Sequence, residues 1–275
     1  MLGDLSTIAN VKEWAGVDSP KTDPMIGRLI SSMSQAIRNY CQRDSFLSRT
    51  FTETYDGSGS DTLLLRQFPV TSISGLSIDG VAIPAATPTS PAGFTFDSWS
   101  GFPAGSVCAV SLCGYGFREG RNNVTITYTA GYLVQGEAHV VPASPFQVAP
   151  SAPYGAFAAD GAVAYANGTK LTPVASAPAV GQYIAPNPFA VSNPSQAYTF
   201  AAADAGQALT FAYSFIPTDV EQCLIEWAAE RLKYRTRIGE MSHATGGSQT
   251  ASFTQGPMPK WVMDALNTYS PGVPL

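Results

Sequence analysis

Apolar residues recur at three- and four-residue intervals in separate stretches of the chain, and each stretch carries its own start and stop signals. The clearest runs from Ile216 to Gly239 (IPTDVEQCLIEWAAERLKYRTRIG). Val220, Cys223, Leu224, Trp227, Ala228, Arg231 and Leu232 share one side of the helix it predicts, a stripe about four turns long. Pro217 fits the first turn, where a missing N–H costs nothing, and Asp219 and Glu221 set negative charge at the positive end of the helix dipole. Gly239 suits the left-handed position just past the end. Residues 5–16 predict a short helix capped by Ser6 or Thr7 and stopped by Gly16, with Ile8, Val11 and Trp14 as its apolar side. A second helix is expected over 23–43, with Asp23 as N-cap, Pro24 in the first turn, and Ile26, Leu29, Ile30, Met33, Ile37, Tyr40 and Cys41 on one face. These stripes must bury themselves on one another, and Trp14, Tyr40 and Trp227 are expected in that core. A last short helix is expected over 259–269, followed by an extended tail, SPGVPL.

From Arg49 the period changes to two. Thr50–Tyr55 alternates, Asp56–Ser60 reads as a turn, and Thr62–Arg66 as a second strand, together a hairpin. Ile73–Ile78 and a strand over 123–132 (NVTITYTAGY) follow, with Phe94–Phe96 as a short strand between them. From about residue 135 to 212 charges are rare and Ala and Pro abundant. Phe157, Ala162–Tyr165, Gln182–Ile184, Ala197–Phe200 and Leu209–Tyr213 recur as aromatic strand signals, with a turn at Asn167-Gly168-Thr169. Their recurrence favours a small all-β module of sandwich or barrel type over a low-complexity linker, which would lack them. Residues 242–257 are Gly/Ser/Thr-rich, a flexible segment or a small hairpin.

Composition narrows the chemistry. Charged residues are 13% of 275, with a formal net charge of −5. That argues against a dedicated nucleic-acid binder, which is normally basic, while leaving room for a local basic patch. No apolar run reaches the length of a membrane span, and MLGDLSTIAN has neither the basic region nor the apolar core of a secretory signal. Of the 4 cysteines, Cys41 and Cys223 fall on apolar helix faces, and Cys108 and Cys113 lack the spacing or histidines of a metal site. His139 and His243 belong to no metal spacing, and no nucleophile elbow, phosphate loop or dinucleotide fingerprint occurs. Carboxylate pairs can always be drawn, for example Asp97 or Asp160 with Glu119, but spacing gives no reason to choose them. The chain reads as non-enzymatic, without cofactor or metal.

Arg231, Lys233, Arg235 and Arg237, with Lys260 further on, form the one concentrated positive patch. It compensates the helix dipole on a solvated face, or meets an acidic partner or a phosphate backbone, which positive charge positions without reading sequence. Trp261, on a short terminal helix, either packs in the core or anchors a contact between proteins.

The order of elements resembles the head–tail connector (adaptor) proteins of tailed bacteriophages. The resemblance is carried by the helix ending CQRD at 41–44, the strand TYTAGY at 127–132, and the Pro-x-Asp helix with its Arg-rich end at 216–239. In that family the last two elements commonly follow closely, whereas here about 80 residues separate them, as an inserted domain would. The resemblance implies an α+β chain: an adaptor core of three to four helices plus a β-hairpin region over 1–133 and 214–275, interrupted by an all-β domain over 134–213. It further implies a structural virion protein, made in the host cytoplasm and placed at the neck. It would be a ring of about twelve copies between the portal protein and a stopper or tail-completion protein, passing double-stranded DNA without sequence specificity and touching no membrane. The C-terminal segment would make the portal contact, through Lys260, Trp261, Pro271 and Leu275. The alternative is a tail or baseplate protein whose β-module stacks a glycan on Tyr154, Tyr165 and Tyr183.

Overall fold

The helices start where their capping residues stand. In the computed structural model, which describes residues 3–96, 108–190, 194–234, 242–245, 249–252 and 258–270, helix α1 (Ile8–Ala15) begins where Thr7 Oγ1 accepts the Asn10 N–H (3.2 Å). It ends at Gly16, whose φ of 66° is the left-handed conformation that glycine takes without strain. α2 (Asp23–Tyr40) keeps Pro24 in its first turn, but its N-cap is Thr22 rather than Asp23, because a 3-10 turn (Pro20–Thr22) feeds straight into it.

Seven strands follow: β1 (Arg49–Gly57), β2 (Thr62–Leu64), β3 (Val70–Ile78), β4 (Val81–Ala82), β5 (Gly93–Phe96), β6 (Ala109–Cys113) and β7 (Gly120–Ala130). They make two antiparallel sheets, in the orders β1-β7-β3-β4 and β2-β6-β5, around Phe51, Leu76, Val110, Phe117, Val124 and Ile126. The hairpin expected over 51–65 does not form, since β1 and β2 lie in different sheets. At Gly57 the pairing with β7 slips, and a Cβ there would stand 1.8 Å from the Arg118 carbonyl oxygen. Beyond it the turn bonds to residues 117–118 and their neighbours instead of closing on itself: Gly59 N–H donates to the Phe117 carbonyl (2.6 Å) and Phe117 N–H to that of Ser60 (2.8 Å).

A second set of strands comprises β8 (Leu133–Val140), β9 (Gln147–Val148), β10 (Gly155–Tyr165), β11 (Thr172–Pro173), β12 (Gln182–Ile184), β13 (Tyr198–Phe200) and β14 (Ala208–Pro217). Their sheets, β10-β14-β8 and β11-β12-β13-β9, enclose Val163, Tyr183, Tyr198, Leu209 and Phe211. β14 runs without a loop into α3 (Thr218–Tyr234). Pro217 therefore ends a strand, paired with Gly155, rather than opening the helix. β15 (Ser242–Thr245) and β16 (Gln249–Ser252) pair as a small hairpin. α4 (Lys260–Leu266) and a 3-10 turn (Asn267–Tyr269) complete the α+β chain.

The helices bury Ile26, Ile30, Ile37, Leu224, Trp227 and Leu266 together, and Phe215 and Ile216 at the end of β14 join them. Trp227 is 4% exposed and Tyr40 packs against this core, but Trp14 is 56% exposed, contrary to expectation. α1 meets α3 through Ser6 and Asn10, which both donate to Glu221, and Trp14 sits one turn beyond that contact.

Where the helical core meets the first pair of sheets, Arg43 is 3% exposed. Its guanidinium carbon stands 4.8, 4.3 and 5.1 Å from the ring centroids of Phe46, Phe68 and Tyr132. Nη1 donates to the Tyr132 hydroxyl (3.3 Å), while Nε and Nη2 have no partner among the described residues. Gly131, at φ 126°, brings the backbone so close to Leu47 that a Cβ would stand 2.5 Å from its carbonyl. Truncating Arg43 opens a cavity among three rings, so Arg43→Ala should lose roughly 2–5 kcal/mol in urea unfolding. Arg43→Met keeps the volume and removes a charge whose burial is expensive, and should lose less than about 1.5 kcal/mol. An Arg43→Met loss as large as that of Arg43→Ala would mean that the charge, not the filling, holds the junction.

Candidate docking surfaces

α4 is fixed by one side only. Val262, Leu266 and Tyr269 are buried in the helical core. The Tyr40 hydroxyl donates to Asn267 Oδ1 (2.6 Å), and the Tyr269 hydroxyl donates to Asp219 Oδ1 in the first turn of α3 (2.6 Å). Burial, then the bond to Asp219, pushes the Tyr269 hydroxyl pKa well up, so it donates throughout the physiological range. Trp261 (41% exposed) and Lys260 lie on the outer side of the same helix. Residues 260–269 thus combine a side packed in the core with an outward edge. Of the residues expected to dock, Pro271 and Leu275 lie outside the described residues.

The basic end of α3 carries Arg231, half-buried, and Lys233, exposed, in its last turn. Arg235 and Arg237 lie outside the described residues. At the other end of α3, Glu221 is held by Ser6 Oγ (3.0 Å) and Asn10 Nδ2 (2.8 Å). Burial raises its pKa, against the pull of those two donors. Arg231 and Lys233 stand ten and twelve positions further along, about 15–18 Å from this junction at 1.5 Å per residue.

A cleft of about 560 Å³ opens between α1, the N-terminal half of α2 and the loop around Pro188, Phe189 and Pro194. Ile8, Ile30 and Phe189 give it apolar lining, and Asp4, Glu13, Asp18, Asp23 and Lys12 charge its rim. Lys12 pairs with Asp23 (2.8 Å). No spacing in the chain marks this site, because its acids are scattered over twenty positions and the loop opposite comes from the second β set.

Among the described residues no group of three or more His, Cys, Asp or Glu side chains could hold a metal. His139 pairs with Glu137 and stacks on Phe211, with ring centroids 4.7 Å apart. His243 falls in β15, and Asp97 lies outside the described residues. Asp160 accepts the Tyr183 and Tyr198 hydroxyls (2.7 and 2.9 Å), whereas Glu119 is exposed in the first β set. Burial raises the Cys41 and Cys223 thiols to about 11, which makes them poor nucleophiles. Of the three tyrosines of the glycan platform, Tyr183 is 1% exposed, Tyr165 donates its hydroxyl to Asp204 (2.7 Å), and Tyr154, beside Phe215, is exposed, so the three do not form one open stacking face. No helix among the described residues is long and apolar enough to cross a membrane.

The two sides of α4 should separate in stability measurements. Leu266→Ala is expected to lose roughly 2–5 kcal/mol, as cavities in a packed core do. Trp261→Ala should lose less than about 1 kcal/mol in the same urea titration.

Residues 4–140 match the family model described as Head completion protein. None of the curated proteins matches the chain. The matched region takes in α1, α2, both sheets of the first β set, the Arg43 junction and β8. By this match the chain belongs to a phage head–tail connector and completion family, the structural proteins of the phage head.

Proposed function

We propose that the protein is a subunit of the head–tail connector at the neck of the virion, assembling as a ring of about twelve copies under the portal protein. A stopper or tail-completion protein binds its other side, and double-stranded DNA passes through without sequence-specific contact. The observation that carries this reading is an outward Trp261 and Lys260 on a helix whose other side is built into the helical core, in a chain whose first half matches a head-completion family. A rigidly held, exposed tryptophan is the kind of residue that anchors protein–protein contacts. Lys260, Trp261, Pro271 and Leu275 are the residues assigned to the portal contact. The low charge of the chain suits a passage for DNA, since a wall that gripped phosphates would retard it.

In the same reading, residues 134–213 are an all-β domain inserted into an adaptor core formed by 1–133 and 214–275. The two ends of that stretch lie side by side in the sheet, with Leu133 opposite Ser214 and Val134 opposite Tyr213, so a short bridge can replace it. The excision is not free of consequence: Val134, Ala158 and Phe189 pack on the helical core, and β10 pairs with Phe215–Pro217. A chain with a Gly/Ser bridge in place of 134–213 should therefore keep cooperative unfolding at a lowered midpoint. Non-cooperative unfolding would refute the boundary.

Light scattering of the protein alone and with the portal protein of the same phage tests the connector assignment. A ring-sized mass, formed alone or on the portal, is expected. Trp261→Ala should weaken portal association by roughly tenfold or more while leaving the unfolding midpoint nearly unchanged. A monomer indifferent to the portal would sink the proposal.

A further inference from the structure

Asn167 and Gly168 stand at the tip of a hairpin between β10 and β11. Gly168 N–H donates to the Tyr165 carbonyl (2.8 Å), closing a turn over Ala166 and Asn167, and Tyr165 N–H donates to the Thr169 carbonyl (2.9 Å). Gly168 has a φ of 88°, the left-handed position that completes such a three-residue loop. Ala166, Asn167, Gly168 and Thr169 are all exposed. Thr169 N–H donates to Asn167 Oδ1 (2.9 Å), which draws electrons from the side-chain carbonyl carbon. Asn167 is also the one asparagine in the chain followed by glycine, so no Cβ crowds the main-chain nitrogen next to its amide.

We propose that Asn167 is a site of spontaneous deamidation through a cyclic imide. The Gly168 nitrogen gives its proton to hydroxide and attacks Asn167 Cγ, forming a C–N bond. The bond from Cγ to Nδ2 then breaks, and ammonia leaves with a proton taken from water, which restores the hydroxide. Water opens the imide at either carbonyl, giving aspartate or isoaspartate. The turn must open first, since the Tyr165 carbonyl holds the Gly168 N–H, and an exposed hairpin tip is among the first places where a fold opens.

The two products differ in what they do to the hairpin. Aspartate keeps the backbone, and its carboxylate still accepts the Thr169 N–H. Isoaspartate adds a methylene to the main chain, so the pairing of Ala164 with Lys170 and the bond from Leu171 N–H to the Val163 carbonyl slacken. Leu171 is 6% exposed in the core of the second β set, and the loss is felt there. Either product adds negative charge where charges are rare. Glu137, Asp160 and Asp204, the acids of 134–213, each accept a tyrosine hydroxyl, so position 167 gives that stretch its first carboxylate turned to solvent.

The folded protein held at neutral and at mildly alkaline pH tests this, with peptide mass mapping and ion exchange following position 167. Conversion is expected at Asn167 before any other asparagine, and faster at the higher pH. An isoaspartyl methyltransferase, which labels isoaspartate and not aspartate, should label the aged chain. The labelled fraction should unfold at a lower urea midpoint than Asn167→Asp. Gly168→Ala should slow conversion by roughly tenfold or more, because its Cβ crowds the attacking nitrogen. That Cβ meets nothing else within 4 Å, so the strain of its φ is the only burden on the fold. Where Gly168→Ala does not fold, Asn167→Gln replaces it and should lose the conversion, since its longer side chain closes the ring slowly. Asn167 left intact in the folded protein, over a time in which the urea-unfolded chain converts, would overturn the proposal. Conversion as fast in either variant as in the wild type would overturn the imide route. Neither outcome bears on the connector reading.

Discussion

Arg43 ties together parts of the chain that are far apart in sequence. It leaves the end of α2, lies over Phe46 and Phe68, and donates to the hydroxyl of Tyr132, just after β7. Tyr269, at the far end of the chain, packs edge-on against Tyr132 and tilted against Phe46, each at 6.1 Å. Each cation–π contact contributes about 0.5–2 kcal/mol, and desolvating the guanidinium takes much of that back. The gain is therefore one of arrangement more than of net stability. A planar cation with three rings around it admits few alternative packings of α2, β7 and α4. With α2 and the end of β7 fixed in this way, β8 and the returning β14 are placed beside them, and β14 leads directly into α3.

The same junction explains the short motifs by which the chain resembles connector proteins. In TYTAGY, Tyr128 accepts the Gln67 N–H (3.2 Å) and donates to Glu53 (2.7 Å). Ala130 is buried, Gly131 permits the close approach to Leu47, and Tyr132 completes the aromatic box. In CQRD, Cys41 is buried, Arg43 fills the box, and the Asp44 N–H donates to Gln67 Oε1 (3.2 Å). These residues are packing and hydrogen-bonding solutions to one crowded corner.

Local signals were legible and pairings were not. Thr7 and Gly16 bound α1 as their chemistry dictates, Pro24 starts α2, and the aromatic strand signals after residue 155 all fall in strands. Alternation with period two says which side of a strand faces inward but not which strand lies beside it. β1 therefore reads as half of a hairpin, although its partner is β7. β8, eight residues long, is not legible because Gln135, Gly136, Glu137 and His139 hide its alternation, and β9 and β11 are two-residue pairings held by context. At the candidate surfaces, the sequence leaves Trp261 open between the core and an outward contact, and the structure leaves it 41% exposed on α4. Exposure of Trp14 was not legible, because a helix of two turns gives too short a pattern to tell which side faces the core. The acidic cleft depends on a loop from the second β set, and no spacing in the sequence places that loop over α1 and α2.

A chain with so few charges must satisfy its buried polar groups in another way, and here hydroxyls do it. Tyr183 and Tyr198 share Asp160, Tyr165 binds Asp204, Tyr55 and Tyr128 bind Glu53, Tyr213 binds Glu137, and Tyr269 binds Asp219. Burial and the neighbouring carboxylate raise the tyrosine pKa in these pairs, so the phenol stays a donor across the physiological range. The outer face of the β1–β7 pair follows the same rule, with Thr50 beside Thr129 (3.4 Å) and Thr52 beside Thr127 (3.1 Å). Hydroxyls hold the interior and coat a sheet without leaving a net field. The charges that remain are set on the surface, where solvent screens them: Asp56, Asp61, Arg66, Arg118, Glu119 and Arg121 in the first β set are all exposed.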